Sequence, residues 1–545
     1  MTTPDPIMPR WLDLRSIPLK SWLILFAIPC FHLILVLVLR DHAGPFYLWS
    51  NLDPDYLYLL DALNITNLDW PVAIHHPGTP VQMVGALILK LAHPLSSPAE
   101  LTQLTLKNPE YYLTLFHLCF VVINTMALVF AGLCAYLAFG NTIAVLFVQF
   151  GPFISKLCIK WMTHVAPEPV LISVVLVLGG VALLALRPGQ LESHRPKYAA
   201  LFGLIAGFGM AVKITSIGVY FLPLFILWNF RCLTIYGLTA LFAMFVFTLP
   251  AAGGYGDMIA HLNSFTADDT SFGGVNNTFV SGSEYLHQLK RLSSRPAFFL
   301  VLISGLITTI YFWIRAKANK TEIPIAVKLI AGLCLADVVQ VLIVAKHPSG
   351  HYMIPILVLS TLGMALLYQI WGDQRRAVGS KGKVLKTVFI LIFAGLVGAQ
   401  TTAGVKLDNQ FTKRVENASL YDDTRFNQCA RIYFWAAATP SYPLQLGDDM
   451  VGHHFAEQLS KIRPSNDYWY EIVRKEFRDW AGVLDVKEIA AQYPCIYARG
   501  SYPNHMSAAF KTQLPTYDFS TSCTLNNNRE TVFTSGVDCM GTLVK

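Results

Sequence analysis

The sequence predicts an all-α polytopic membrane domain of about eleven transmembrane helices, followed by a small mixed α/β domain outside the cytoplasm. Three observations predict it. Apolar residues make up 54% of the chain and charged residues only 14%, with a mean hydropathy of +0.46. Soluble domains carry roughly 25% charged residues, so this chain lacks the charge to cover a water-facing surface of its own. Most of residues 1–403 falls into apolar runs long enough to cross a bilayer, whereas residues 404–545 return to ordinary soluble composition with Trp, Tyr and Asp interspersed.

The expected spans lie near 21–39, 112–135, 141–157, 169–186, 199–213, 215–229, 233–250, 297–314, 326–345, 352–370 and 386–403. The fifth and sixth are short and adjoin at Lys213, so they also read as one broken segment. No small-residue cleavage site follows the first run, which is therefore expected to stay as a span. Basic residues cluster before the first span (Arg10, Arg15, Lys20) and after the fourth, eighth and tenth (Arg187, Arg195, Lys197; Arg315, Lys317, Lys320; Arg375, Arg376, Lys381, Lys383, Lys386). With an odd number of spans all four clusters fall on one side, which the positive-inside rule makes cytoplasmic. The long loops 40–111 and 251–296 and the C-terminal domain then share the opposite side of a plasma (inner) membrane. The net charge of +7 is this topology bias. No basic stripe is present, so no nucleic-acid partner is expected.

Cysteine use follows the same division. Cys30, Cys119, Cys134, Cys158, Cys232 and Cys334 lie in or beside apolar runs, where a thiol behaves as a small hydrophobe. Cys429, Cys495, Cys523 and Cys539 lie in the exported region and predict two disulfides, with the pairing open. Zinc is the weaker reading, because no C-x-x-C spacing occurs. Two features of the loops stand out. Val81 to Leu91 is too short and mixed to span and reads as a helix in the interface. The loop 251–296 is rich in Gly, Ser, Asn and Thr and is expected to be mobile.

Residues able to do chemistry gather at span ends. In Asp53-Pro54-Asp55-Tyr56, Asp53 is expected to cap a helix running to about Leu63, with Asp55 in its first turn. A carboxylate there suits general-base work on a hydroxyl. His75 and His76 stand before Pro77 in the same loop and are suited to a phosphate or an acceptor, or to a plain solvated turn. Glu168 begins the fourth span, either as a cap or facing Asp55. Lys213 interrupts an apolar stretch, where a charge must snorkel or find a partner. Lys346, His347, His351 and Tyr352 offer a cation, two imidazoles and a phenol over seven residues, a set that can offset charge on a phosphate leaving group or form a polar turn. Asp337 is an intramembrane acid in need of a partner.

These residues together resemble the GT-C glycosyltransferases, in particular the protein mannosyltransferase and lipid A aminoarabinose transferase group. The run Asp53 to Tyr58 is similar to that group's acidic motif in the first outer loop. Leu68-Asp69-Trp70-Pro71 and His76-Pro77-Gly78-Thr79-Pro80 are similar to the elements that follow it. Gly203 to Ser216 resembles its glycine-rich span ending in lysine, and His347 to Pro355 its late H-P-x-x-x-Y-x-x-P element. The similarity covers residues ~20 to ~370. It implies a polyprenyl-phosphate sugar donor, a glycan, lipid or protein acceptor, and inversion at the anomeric carbon. It also implies Asp55 with Asp53 as base or acceptor-binding residues, and Lys213, Lys346 and His351 at the carrier phosphate. Two departures are visible: Pro54 splits the acidic pair, and His76 stands where some members have lysine. The sequence names no cofactor and leaves a divalent metal open. A polysaccharide ligase or polymerase with a diphosphate-linked donor is the nearest rival. A secondary transporter is the next, although its charges belong near mid-membrane within paired repeats.

Overall fold

A computed structural model describes residues 17–48, 55–74, 77–260, 282–346, 349–377, 383–419, 423–471, 474–501, 503–515, 517, 519, 521–524 and 530–543. Asp53, His75, His76 and His347 lie outside the described residues, as does the greater part (261–281) of the loop expected to be mobile.

The N-terminal part is helical throughout: α1 (Leu19–His42), α2 (Asp55–Thr66), α3 (Thr79–Ala92), α4 (Pro98–Lys107), α5 (Pro109–Phe139), α6 (Thr142–Gln149), α7 (Lys156–Trp161), α8 (Pro167–Ala185), α9 (Gln190–Val212), α10 (Phe230–Thr248), α11 (Gly282–Ser293), α12 (Pro296–Asn319), α13 (Ile325–Lys346), α14 (Ile354–Ala377) and α15 (Lys383–Ser419). Among the described residues, eight helices are long and apolar enough to cross a membrane: α1, α5, α8, α10, α12, α13, α14 and α15. Three of the eleven expected spans therefore take another form. The stretch 141–157 breaks into α6, a 3-10 turn at Gly151–Phe153 and α7, because Pro152 cannot supply the amide that would continue α6. The stretch 199–213 is the second half of α9, which starts among charged residues and kinks at His194, two residues before Pro196. The stretch 215–229 winds as a 3-10 helix over Ile214–Phe221, separated from α9 by an extended Lys213 (φ −162°, ψ 113°). The broken-segment reading of Lys213 thus matches the chain's path.

Close approach needs small residues. Side chains on Gly203 and Gly207 of α9 would strike the α10 backbone at Tyr236 and Ala240, so these glycines set the distance between the two helices. Gly78, at φ +76°, turns the chain into α3, the helix expected over Val81 to Leu91. Asp337 is fully buried in α13, and neither of its oxygens has a hydrogen-bond partner among the described residues.

The last apolar helix runs unbroken past residue 404 to Ser419. A seven-stranded mixed sheet follows: β1 (Ala430–Tyr433), β2 (Asp467–Glu471), β3 (Glu476–Asp479), β4 (Gly482–Leu484), β5 (Ile496–Gly500), β6 (Thr521–Thr524) and β7 (Thr531–Ser535), in the order β4-β3-β2-β1-β5-β7-β6. β2, β1 and β5 are parallel, and the outer pairs are antiparallel. Four helices join the strands: α16 (Tyr442–Met450), α17 (Ala456–Ile462), α18 (Val486–Gln492) and α19 (Pro503–Gln513). Strand alternation splits the sheet into two faces. Ile432, Tyr468, Ile496 and Ala498 share a core with Ile489 of α18 and Phe510 of α19. Tyr433, Trp469, Tyr497 and Val532 make the other face. The expected disulfides pair as Cys429–Cys495 and Cys523–Cys539. The first joins the residues just before β1 and β5. The domain seats on α2: Gly447 of α16 packs against Leu60 and Tyr56, and His454 Nδ1 lies 3.0 Å from Asn64 Oδ1.

Candidate active site

The turn between α7 and α8, residues 162–166, organises the site. Pro167 opens α8, where its missing amide costs nothing. The turn's carbonyls are held from two other helices: Arg40 of α1 donates to Thr163 O at 3.0 Å, and His117 Nε2 of α5 sits 3.1 Å from Met162 O. Held in this way, the turn presents the Val165 amide to Asp55 Oδ1 and the His164 ring to Asp55 Oδ2, the latter at 3.2 Å. Asp55 is buried, in the first turn of α2, where the helix dipole favours a carboxylate. Arg40 is near enough to Asp55 and Glu110 for their charges to act on it.

The second half of the cluster is built from α8, α9 and the turn before α14. Glu168 lies in the first turn of α8 and accepts from Lys213 Nζ at 2.6 Å. Both side chains are buried, so each depends on the other for charge balance. His351 Nε2 stands 3.7 Å from the same Glu168 oxygen. The Lys213 ammonium lies 4.8 Å from the centre of the Tyr352 ring, a cation–π distance. Gln340 of α13 fixes the two turns relative to one another by donating to Thr215 O at 2.8 Å and Tyr352 O at 2.9 Å.

Trp161 joins the halves. Its ring centre is 5.1 Å from that of His164 and 4.8 Å from that of His351. One contact chain therefore runs Asp55, His164, Trp161, His351, Glu168, Lys213, Tyr352. Of the predicted residues, Asp55, Glu168, Lys213, His351 and Tyr352 are brought together. Lys346 closes α13, ahead of the turn that carries His351.

No family model matches the chain, and no curated protein does. Among solved structures, the crystal structure of ArnT from Cupriavidus metallidurans bound to undecaprenyl phosphate matches 97% of this chain and 100% of that one, at 11% identity and a TM-score of 0.48. At that identity it transfers no residue role.

Several contributors escape a sequence reading. Arg40 holds the turn that grips Asp55, His164 touches Asp55, Gln340 locks two turns, and a Cβ on Gly350 would come within 3.3 Å of the Arg295 guanidinium. Arg40 ends the first span, where arginine reads as an interfacial anchor. His164 carried a signal, since it lies four residues before Glu168 in a polar break between apolar runs. Among the described residues no three His, Cys, Asp or Glu side chains are arranged to hold a metal ion.

Asp61, less than two turns beyond Asp55 on the same helix, plays a different part. It accepts from the Val72 and Ala73 amides at 2.9 Å, from Gln82 Nε2 at 2.8 Å and from Asn64 Nδ2 at 3.0 Å. It ties the loop between α2 and α3 to both helices. Burial pushes its carboxyl up to about 6, against those donors.

Proposed function

We propose that this protein is a membrane glycosyltransferase that moves a sugar from a polyprenyl-phosphate carrier to a hydroxyl acceptor on the outer side of the membrane. The observation that carries the reading is that one indole, Trp161, contacts both His164, which holds the buried carboxylate of Asp55, and His351, which stands beside the buried Glu168–Lys213 pair. Glycosyl transfer to a hydroxyl needs this division. The acceptor oxygen attacks the anomeric carbon and gives its proton to Asp55 as the new C–O bond forms. The bond from the anomeric carbon to the phosphate oxygen breaks, and the negative charge growing on the carrier phosphate is offset by Lys213 and His351, with Lys346 and Arg295 at the rim. Attack and departure on opposite faces invert the anomeric centre. Glu168 holds Lys213 in place through a 2.6 Å contact, and His164 and the Val165 amide aim Asp55. A positioned base contributes typically 10²–10⁴-fold, and fixed charges at the leaving group add to it without reorganising during the reaction.

The test is transfer by the purified protein, reconstituted in lipid, from a synthetic polyprenyl-phosphate sugar to a cell-envelope acceptor extract. Incorporation of labelled sugar is expected. Turnover of the matching polyprenyl-diphosphate sugar alone would replace this reading with the polymerase one.

A further inference from the structure

The inner face of the C-terminal sheet carries more buried charge than a packing surface needs. Arg431 and Tyr433 of β1, Asp467 of β2 and Arg499 of β5 point from one face into a cleft of about 570 Å³. The cleft's far walls are the end of α15 and the turn at Phe46–Leu48, which carries Tyr47. Its size falls in the ~300–1,000 Å³ range of small-molecule sites. Buried ion pairs are weak devices for stability, and apolar replacements of similar volume often do as well. Charges kept on the wall of a cleft therefore point toward a ligand.

The pattern of these charges says which ligand. Arg431 pairs with Asp467 at 2.5 Å. Arg499 pairs with Glu530 at 2.9 Å and Asp423 at 3.2 Å. Arg431, Arg463 and Arg499 line the cleft with Asp423 and Asp467, and Glu530, paired with Arg499 outside the lining, supplies the third carboxylate, so little net charge is left to draw an anion. A phosphate would face Asp423 and Asp467. Instead the walls set donors and acceptors side by side: the Tyr433 hydroxyl 3.3 Å from Asp423 and the Ser441 hydroxyl 2.5 Å from Asp467, with the guanidinium groups of Arg431, Arg463 and Arg499 beside them. Tyr47 and Tyr433 add aromatic surface. Alternating donors and acceptors with apolar ring faces suit a neutral polyhydroxyl chain.

Hydrogen bonds lead from the cleft wall toward the helix turn that carries the proposed base. Glu110 accepts from the Tyr47 amide at 3.3 Å and from the Tyr56 hydroxyl at 2.5 Å, and Tyr56 directly follows Asp55. We infer that this cleft binds a neutral oligosaccharide, which is the acceptor of the transfer. Its acceptor role rests on the transferase reading above, and saccharide binding can be measured without it.

The experiment uses the full chain in lipid nanodiscs and a panel of neutral tetrasaccharides (gluco-, manno- and N-acetylglucosamine-based), with binding read by saturation-transfer NMR and titration calorimetry. Inorganic phosphate serves as the anionic arm. At least one tetrasaccharide is expected to bind. Ala418→Trp, which fills the cleft from the α15 wall and leaves the sheet's own residues unchanged, and Arg463→Gln are expected to weaken it tenfold or more. Asp55→Asn is expected to bind it as the wild type does while failing to transfer. The inference is overturned if no tetrasaccharide binds, if both cleft variants bind normally, or if phosphate takes the site more tightly than the saccharide. Saccharide binding without any transfer from the polyprenyl-phosphate donor would remove the transferase reading and leave the cleft. Transfer that Ala418→Trp leaves unchanged would do the reverse.

Discussion

Helix α2 carries two buried acids that differ in what surrounds them. Asp61 has four N–H donors, from the following loop, from α3 and from its own helix. Its oxygens are committed to holding that loop. Asp55 is held by one amide and one imidazole from a single turn, and that turn opens through Trp161 onto Lys213 and His351. A carboxylate enclosed by structural donors has no lone pair free for a substrate proton. One gripped from a single side by a histidine does. Burial alone would not tell them apart. The source and number of their partners do.

The sharpest way to break this contrast is Asp55→Asn, which keeps the shape and removes the base. Sugar transfer is expected to fall 10²–10⁴-fold with unchanged thermal stability, and normal turnover would end the assignment. Next in size is Glu168→Ala, which leaves Lys213 buried without its carboxylate. Breaking such a pair costs about 3–5 kcal/mol, visible as a lowered unfolding midpoint in detergent. The double variant Glu168→Gln with Lys213→Met is expected to recover most of that stability and none of the transfer. Recovery of both would show the pair to be structural only. Asp61→Ala comes third, leaving up to four donors unmet in a buried site at about 1–3 kcal/mol, and a stability equal to wild type would show that the loop does not depend on it. The same acid also carries a pH dependence. The folded value, about 6, lies above the unfolded 3.8, so between these values the folded chain binds more proton than the unfolded one. Stability is therefore expected to fall as pH rises from about 4 to about 6 and to level off above. In Asp61→Asn this segment of the pH–stability curve should flatten.

Much of the fold was legible in the sequence because membrane spans announce themselves by composition. The eight long apolar helices all lie on expected segments. What failed was counting by hydropathy alone. Residues 141–157 are apolar enough, yet Gly151-Pro152 breaks them, and 215–229 winds as a 3-10 helix where Lys213 extends the chain. Apolarity reports burial in protein as readily as contact with lipid. In the site, Asp55, Glu168, Lys213 and His351 were readable as charges that an apolar setting had to explain. Arg40 and Gln340 were not, because each acts on backbone carbonyls far away in sequence, and no local pattern marks such a contact.

The sequence by itself determined that the chain is a bundle of apolar helices with a cystine-bearing domain at its end, because the cost of placing polar groups in lipid is local and is written residue by residue. Only the tertiary structure decided which acid is held by His164 and which fastens a loop, which cysteines pair, and that the sheet turns a charged face toward the first loop. Those outcomes depend on which distant groups meet, and the energy of meeting belongs to pairs that no single stretch of sequence contains.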